Sequence, residues 1–240
     1  MVGMSDDTYT SNERRPGYDG TGPGAITPDG CAVEMWTRLP VGDGPDVIEA
    51  SVPAGAGILE LGCGVGRMTH PLTDKGFTVT AVDESPDMLA RVRPEVRKVR
   101  SPIEKLDLGE RFDVVLLASF LVHAGDEKVR QGLLETCRRH VADDGCVLIQ
   151  REGSQAHKDV PREVMVGPDM LARVVSSTPI GDGVNSVFVE YEFPDGNWTQ
   201  TFLSRPLTPE QFERALAEAG LRIETTLSGD GTWVRARPIV

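Results

Sequence analysis

Between residues 57 and 83 an apolar run, a glycine-spaced turn and a second apolar run ending in a carboxylate follow one another without interruption. Gly57-Ile-Leu-Glu-Leu61 has the length and character of a short strand buried on both faces. Gly62-Cys-Gly-Val-Gly66 then places glycine at every second position, which permits a tight turn and lets a ligand approach the main chain closely. A helix of about ten residues is expected next, with Pro71 limiting its regularity. Phe77-Thr-Val-Thr-Ala-Val82 reads as the second strand, with Asp83 at its end.

The same alternation continues downstream. Ser85-Pro86 supplies an N-cap and a first-turn proline for a helix holding Met88, Leu89 and Val92. Val96–Val99 is a short edge strand, and Phe112-Asp-Val-Val-Leu-Leu-Ala118 is apolar enough to be a central parallel strand. From about Asp126 to His140 helical spacing puts Val129, Leu133, Leu134, Cys137 and Val141 on one side. Asp144-Gly145 is expected to turn the chain into a strand over Cys146–Gln150. Strands alternating with helices at this spacing predict an α/β fold, a parallel sheet with helices on both faces.

The pattern changes on either side of this core. Residues 1–28 are polar and rich in Gly, Pro and Asp, and residues 30–38 and 45–52 carry the spacing of short helices. After Arg151, Met170–Ser176, Val184–Phe193 and Trp198–Arg205 read as antiparallel strands separated by Gly-Asp-Gly and Pro-Asp-Gly-Asn turns. Thr208-Pro-Glu-Gln211 combines an N-cap, a first-turn proline and a capping-box glutamine, and Phe212, Leu216 and Ala219 form the apolar face of that last helix. Leu221–Leu227 and Thr232–Arg237 close the chain as a hairpin. One domain with an insert is expected: 1–56 an N-terminal cover, 57–151 the core, 152–206 the insert, and 207–240 the last helix and hairpin.

Charge narrows the function classes. With 25 basic and 37 acidic side chains the net charge is −12, a field that repels phosphate backbones and argues against a nucleic-acid surface. The basic cluster from Arg91 to Arg100 reads as a helix end entering an edge strand. No stretch has the apolar length of a membrane span, and the first ten residues lack the apolar core of a secretory signal. Cys31, Cys63, Cys137 and Cys146 show neither a C-x-x-C pair nor metal-ligand spacing. The expectation is a cytoplasmic chain with no metal and no membrane partner.

The chemistry-bearing constellation is Leu59-Glu-Leu-Gly-Cys-Gly-Val-Gly-Arg67 with Asp83. Glu60 precedes the first glycine, where a carboxylate would serve a pyrophosphate poorly. Asp83 lies 19 residues beyond Gly64, placed to take both hydroxyls of a ribose. The glycine spacing also lacks the further glycine of the dinucleotide fingerprint. Together these residues resemble the class I S-adenosylmethionine (SAM)-dependent methyltransferases, and in particular the small-molecule enzymes whose first motif reads Glu-Leu-Gly-Cys-Gly-x-Gly-Arg. The likeness runs from about Ile58 to Val240.

What the resemblance implies is a Rossmann-like class I methyltransferase fold with a central, mostly parallel seven-stranded sheet and, here, an antiparallel insert before the last helix. SAM would be the cofactor and S-adenosylhomocysteine the product. Glu60, Gly62 and Gly64 match the loop holding the methionine part of SAM, with Cys63 and Arg67 beside them. Packing is the alternative for Cys63, and a surface ion pair for Arg67. Asp83 matches the ribose anchor, with Glu84 next to it, and Ser85 and Met88 match the segment beside the adenine. Ile103 and Glu104 match the residues that flank adenine, and Ala118 and Ser119 the end of the fourth strand facing the sulfonium. The family commonly has an aspartate just before Ile103; this chain has Ser101-Pro102, leaving main-chain groups and Glu104 to hold the adenine.

Methyl transfer is an in-line displacement, so the protein must align nucleophile, methyl carbon and sulfur and exclude water. His123 follows the fourth strand at the carboxyl edge of the sheet and is the candidate general base; His157 is a weaker one, and a packing role is the alternative for both. Tyr18, Trp36, Phe120, Trp198 and the two histidines are candidate walls of a pocket for a small-molecule acceptor, with Tyr191 and Phe202 of the insert near them. The insert is expected to act as a lid or as a homodimer surface. The leading reading is methyl transfer to oxygen, nitrogen or carbon of a small metabolite, secondary metabolites included. The alternatives are a cyclase or isomerase that retains SAM unconsumed and a non-catalytic SAM-binding partner protein.

Overall fold

A computed structural model describes residues 14–153 and 158–239. In chain order the elements are β1 (Asp19–Thr21), α1 (Val33–Arg38), α2 (Gly44–Ser51), β2 (Gly57–Leu61), α3 (Thr69–Asp74), β3 (Thr78–Asp83), α4 (Pro86–Leu89), β4 (Arg97–Arg100), β5 (Phe112–Leu117) and α5 (Glu127–His140). They continue with β6 (Val141–Gln150), β7 (Arg162–Val166), β8 (Met170–Gly181), β9 (Val184–Phe193), β10 (Gly196–Ser204), α6 (Pro209–Glu218), β11 (Leu221–Thr226) and β12 (Trp233–Pro238).

The apolar runs become the middle of a seven-stranded sheet in the order β11-β12-β6-β5-β2-β3-β4. The β2, β3, β4, β5 and β6 neighbours pair parallel, and β12 is antiparallel to both β6 and β11. Strand alternation sends successive side chains to opposite faces. Leu59, Leu61, Val115, Leu117, Val147 and Ile149 therefore pack with Leu133 and Leu134 of α5 and Phe212 and Leu216 of α6. Ile58, Val114, Leu116 and Leu148 pack on the other face with Ile48 of α2, Leu72 of α3 and Trp233. Each such side chain contributes about 1.5–3 kcal/mol by leaving water, which is why these runs must be covered on both sides.

Parity also settles where Glu60 goes. It shares a face with Ile58, so its carboxylate is carried under α3 and away from α5.

Several local expectations change length once packing is in place. The helix after the glycine turn spans only six residues, Thr69–Asp74, and ends before Gly76 at φ +89°. The helix capped by Ser85 spans four, and Val92, beyond its end, is still buried among Cys63, Ala81, Leu89 and Val96. Asp144-Gly145 is not a turn into a new strand. β6 leaves α5 directly at Val141, and its pairing with β5 shifts register before Cys146. A Cβ on Gly145 would lie 2.7 Å from the Asp113 carbonyl, so the shifted strand presses on its neighbour where only glycine fits.

The insert is a second sheet, ordered β1-β10-β9-β8-β7 and antiparallel throughout. Two of its strands were not expected. β1 is too short to show a pattern, and β7 carries charge at its first two positions, Arg162 and Glu163. Because β1 pairs with β10, the N-terminal cover and the insert form one layer. Met170, Phe193 and Trp198 on its inner face pack on Ala32 and Met35, which fixes that layer above the carboxyl edge of the core sheet. The capping box at α6 is complete, with Thr208 and Gln211 each accepting the other's main-chain N–H. The basic cluster is spent on ion pairs and main-chain bonds: Arg91 with Glu34, Arg93 with Asp74, Arg97 with Glu110, and Lys98 with the Val92 carbonyl.

Candidate active site

Gly62, Gly64 and Gly66 all have left-handed φ, at +72°, +54° and +84°. The turn closes through the Gly66 N–H to the Cys63 carbonyl at 3.0 Å, and the Cys63 N–H holds it to the Val82 carbonyl at 2.8 Å. A Cβ on Gly62 would lie 2.7 Å from Leu121 Cδ1 and 3.4 Å from Ile103 Cδ1, and one on Gly64 would lie 4.0 Å from Met88 Sδ. The main chain here is thus a bare cradle between apolar walls from three loops. Gly62→Ala is expected to cost about 1–3 kcal/mol, from left-handed strain and the clash with Leu121, and to weaken SAM binding. Thermal melts and titration measure both; an unchanged melt would mean that Leu121 moves aside without cost.

Asp83 ends β3 facing this cradle. Its Oδ2 accepts the Gly64 N–H and its Oδ1 the Ser85 N–H, both at 2.9 Å. Burial raises its pKa to about 6, opposed by those two N–H groups and assisted by the charges of Asp29 and Glu84. Glu60 is 3% exposed and accepts the Thr69 hydroxyl at 2.6 Å, and burial pushes it up to about 7. Arg15 Nη2 donates to both carboxylate oxygens of Glu84, at 2.7 and 2.8 Å. Ser85 caps α4 by accepting the Met88 N–H at 3.3 Å, so its hydroxyl is structural. The Cys63 thiol is turned under the loop into the packing of β3 and α4, so its side chain does not face the cradle.

The segment expected beside adenine forms a single 3-10 turn, Ile103–Lys105, which Pro102 starts. The Ser101 N–H bonds the Asp83 carbonyl at 3.1 Å, tying this turn to the end of β3. Ile103 reaches Gly62, and its carbonyl accepts the Thr136 hydroxyl at 2.9 Å. Glu104 lies with its Cβ against Gly132 of α5.

Past β5 the chain makes an unusual corner. Ser119 and Phe120 have φ of +53° and +61°, two consecutive non-glycine residues in the left-handed region. Such strain costs on the order of 1–3 kcal/mol per residue and persists where surrounding structure imposes it. Here the Ser119 N–H is held by Gln150 Oε1 at 2.9 Å, and the Ala118 carbonyl by the Leu121 N–H at 3.3 Å. Phe120 is left 41% exposed at the rim.

His123 departs from the base expected of it. It is 3% exposed, with Nδ1 3.0 Å from the Arg205 carbonyl and Nε2 accepting the Glu152 N–H at 2.9 Å. These partners place the proton on Nδ1 and spend the Nε2 lone pair that a base would use. The ring clasps the insert to the core. His157 lies outside the described residues.

The remaining pocket candidates separate. Tyr18 sits beside Arg15 and Asp29, its phenol kept protonated by burial, with its hydroxyl 3.5 Å from the Leu203 carbonyl. Trp36 lies between α1 and the glycine loop, its ring stacked by Arg67 at 5.4 Å and its Nε1 buried with no partner. Arg67 donates to the Pro40 carbonyl at 2.6 Å rather than forming the alternative surface ion pair. Trp198 is 1% exposed and donates to the Pro23 carbonyl at 2.9 Å, so it is core of the second layer and no pocket wall. Sequence reasoning missed Arg15, Asp29, Gln150 and Gln200. Their roles depend on partners from distant segments, and no local spacing marks them.

Known proteins agree with this geometry. A family model described as a methyltransferase domain matches residues 58–145, which run from β2 into β6. The dTDP-3-amino-3,6-dideoxy-alpha-D-glucopyranose N,N-dimethyltransferase of Streptomyces fradiae is 29% identical over 185 residues, 72% of each chain. Residues 58–145 are a methyltransferase domain, and the relatives and the shared fold support a class I SAM-dependent methyltransferase. A ubiquinone biosynthesis O-methyltransferase of Nitrobacter winogradskyi is 31% identical over a shorter stretch, 30% of this chain and 31% of that one. The fold is shared with the SAM-bound structure of CalS10, an amino pentose methyltransferase from Micromonospora echinaspora, at a TM-score of 0.64 and 23% identity over 82% of this chain and 89% of that one.

The residues of this methyltransferase fit SAM. Asp83 spends its two oxygens on main-chain N–H groups but keeps further lone pairs for a ribose diol, and glycine leaves the cradle beside it open. Among the described residues no His, Cys, Asp and Glu cluster could hold a metal, and no helix is long and apolar enough to cross a membrane.

Proposed function

We propose that this methyltransferase transfers a methyl group to the nitrogen of a small polar amine, with a secondary metabolite as the physiological acceptor. The observation that carries this is the acidic charge gathered around the cofactor cradle. Asp29, Asp83, Glu84 and Glu104 act on one another or on Arg15 across the mouth of the cradle, and Arg15 is already paired with Glu84. Such a field favours a cationic ligand and a reaction that ends with positive charge on the acceptor. The Streptomyces relative, named for an amino-sugar N,N-dimethylation, supports the same reading.

When bound, SAM supplies an electrophilic methyl on a sulfonium. The chain's own residues do the rest by position. Asp83 would hold the ribose, the Gly62–Gly66 turn the methionine end, and Met88, Ile103 and Leu121 the faces around them. Residues 57–151 and 207–240 form the cofactor-binding core in this reading. The described residues of 1–56 and of 152–206 would close over the acceptor and exclude water. A cytoplasmic setting accords with four free thiols, of which Cys63, Cys137 and Cys146 are buried.

The test is turnover with SAM and matched amino and hydroxyl acceptors, following S-adenosylhomocysteine and the mass of the product. Methylated amine with stoichiometric S-adenosylhomocysteine is expected. A product formed with SAM unconsumed, or transfer to the hydroxyl acceptor alone, would overturn it.

His123 enters this reading as a positioning residue. His123→Ala is expected to lose about 2 kcal/mol of stability through the orphaned Glu152 N–H and Arg205 carbonyl, while kcat falls less than about tenfold and its pH profile keeps its shape. A fall of 100-fold or more (the scale of a lost general base) with an altered acid limb would restore the catalytic role.

A further inference from the structure

Gln150 is out of place in its own strand. β6 is apolar and buried from Cys146 through Ile149, and its last residue is an amide. Leu61 pairs with Leu117 and Leu117 with Ile149, so Gly62, Ala118 and Gln150 follow at the carboxyl ends of three neighbouring strands. Strand parity puts Gln150 on the face of Leu148, next to Trp233, its partner in β12, which is 2% exposed. From there Gln150 Oε1 accepts the Ser119 N–H at 2.9 Å.

The residue it holds is the first of the two left-handed ones, Ser119 at φ +53° and Phe120 at +61°. Neither has the short amide or carboxylate that lets Asn or Asp enter that region, and a bulky aromatic there is an outlier. The strain is therefore imposed, and its effect can be followed outward. The corner reverses into the 3-10 turn Leu121–His123, closed by the Leu121 N–H on the Ala118 carbonyl at 3.3 Å and the His123 N–H on the Phe120 carbonyl at 2.9 Å. Leu121 leaves that turn against the glycine cradle, its Cδ1 2.7 Å from where a Cβ on Gly62 would sit. His123 leaves it toward the insert, its carbonyl accepting the Arg205 N–H at 2.8 Å. A return of Ser119 to right-handed φ redirects the chain after it, which carries Leu121 off Gly62 and uncovers that side of the cradle.

We propose that Gln150 is a positioning residue for the cofactor: its amide oxygen holds the Ser119–Phe120 corner in the left-handed region, and that corner seats Leu121 against the glycine turn. The same bond explains why a glutamine interrupts an apolar strand. A main-chain N–H just past the end of β5 needs an acceptor, and the amide oxygen reaches it from the neighbouring strand. The placement matters for the reaction because the methyl on sulfur must lie in line with the attacking atom, and a wall that shifts lets the cofactor shift with it. The assignment rests on the glycine turn being the cofactor site and is independent of the nature of the acceptor.

Gln150→Met and Gln150→Glu test it by calorimetric titration with SAM beside thermal melts. Met keeps the length of the side chain without the oxygen, and SAM affinity is expected to fall about tenfold, the scale of one lost hydrogen bond. Glu keeps an acceptor for the Ser119 N–H and should stay within about threefold of the intact protein. Gln150→Asn, a methylene too short to reach, should match Met and covers a Met variant that does not fold. Adding Ser119→Gly decides how the residue acts. Glycine enters the left-handed region without strain, so Gln150→Met combined with Ser119→Gly should recover most of the lost affinity, a coupling that a double-mutant cycle reads. Unchanged SAM affinity in folded Gln150→Met, or additive losses in the pair, would overturn the role of Gln150 alone. Absence of SAM binding by the intact chain would sink the cofactor site itself.

Discussion

Asp83→Ala is expected to abolish measurable SAM binding at micromolar concentrations. A ribose diol on a buried carboxylate makes charge-assisted hydrogen bonds worth about 1.5–3 kcal/mol each, so losing two corresponds to a weakening of at least about 100-fold. The substitution also frees the Gly64 and Ser85 N–H groups that Asp83 now holds, which lets the glycine turn drift from α4. Asp83→Asn is the milder change, since the amide oxygen still accepts one of those two N–H groups while the charge and the second acceptor are lost. Calorimetric titration with SAM and S-adenosylhomocysteine reads the result. Binding by Asp83→Ala within about threefold of the intact protein would place the ribose elsewhere and leave the turn a structural one.

A pH dependence of unusual sign should accompany it. Burial raises Glu60 from 4.5 to about 7. The folded state therefore holds this proton more tightly than the unfolded chain. The stability it contributes is fully present below about pH 4.5 and is lost as pH rises through about 7, an effect of about 3 kcal/mol for a group this buried. Exposed carboxylates such as Asp74, Glu110 and Asp230, whose pKa values are lowered by hydrogen bonds, act in the opposite direction at lower pH.

Denaturant midpoints of the ligand-free protein between pH 5 and 8, compared with Glu60→Gln, isolate the term. The intact protein should lose stability across that window relative to the variant; parallel curves would mean that Glu60 is ionised throughout. SAM affinity should run the other way. The ribose needs Asp83 as the anion, and Asp83 titrates at about 6, so affinity should drop about tenfold per unit below that pH.

Much of the fold and the cofactor half of the site could be read from local order. The Gly57–Leu61 run, the glycine turn and Asp83 are neighbours in sequence because a strand, a turn and a strand end bring them together without help from elsewhere. Ser85 and the Thr208–Gln211 box are equally local, each cap being made within three residues.

The acceptor half was not legible in that way. His123 looks like a base from its place after β5. Its real partners are Arg205, 82 positions on, and Glu152, 29 positions on. Arg15 and Glu84 are 69 positions apart, and Trp198 reads as a pocket aromatic until its carbonyl partner Pro23 is found 175 positions away. β1 exists only because β10 lies beside it. Hydrogen-bonding capacity belongs to the residue and is visible in the chain. Which lone pair is already spent, and which corner is held under strain, depends on segments that meet only when both sheets have packed.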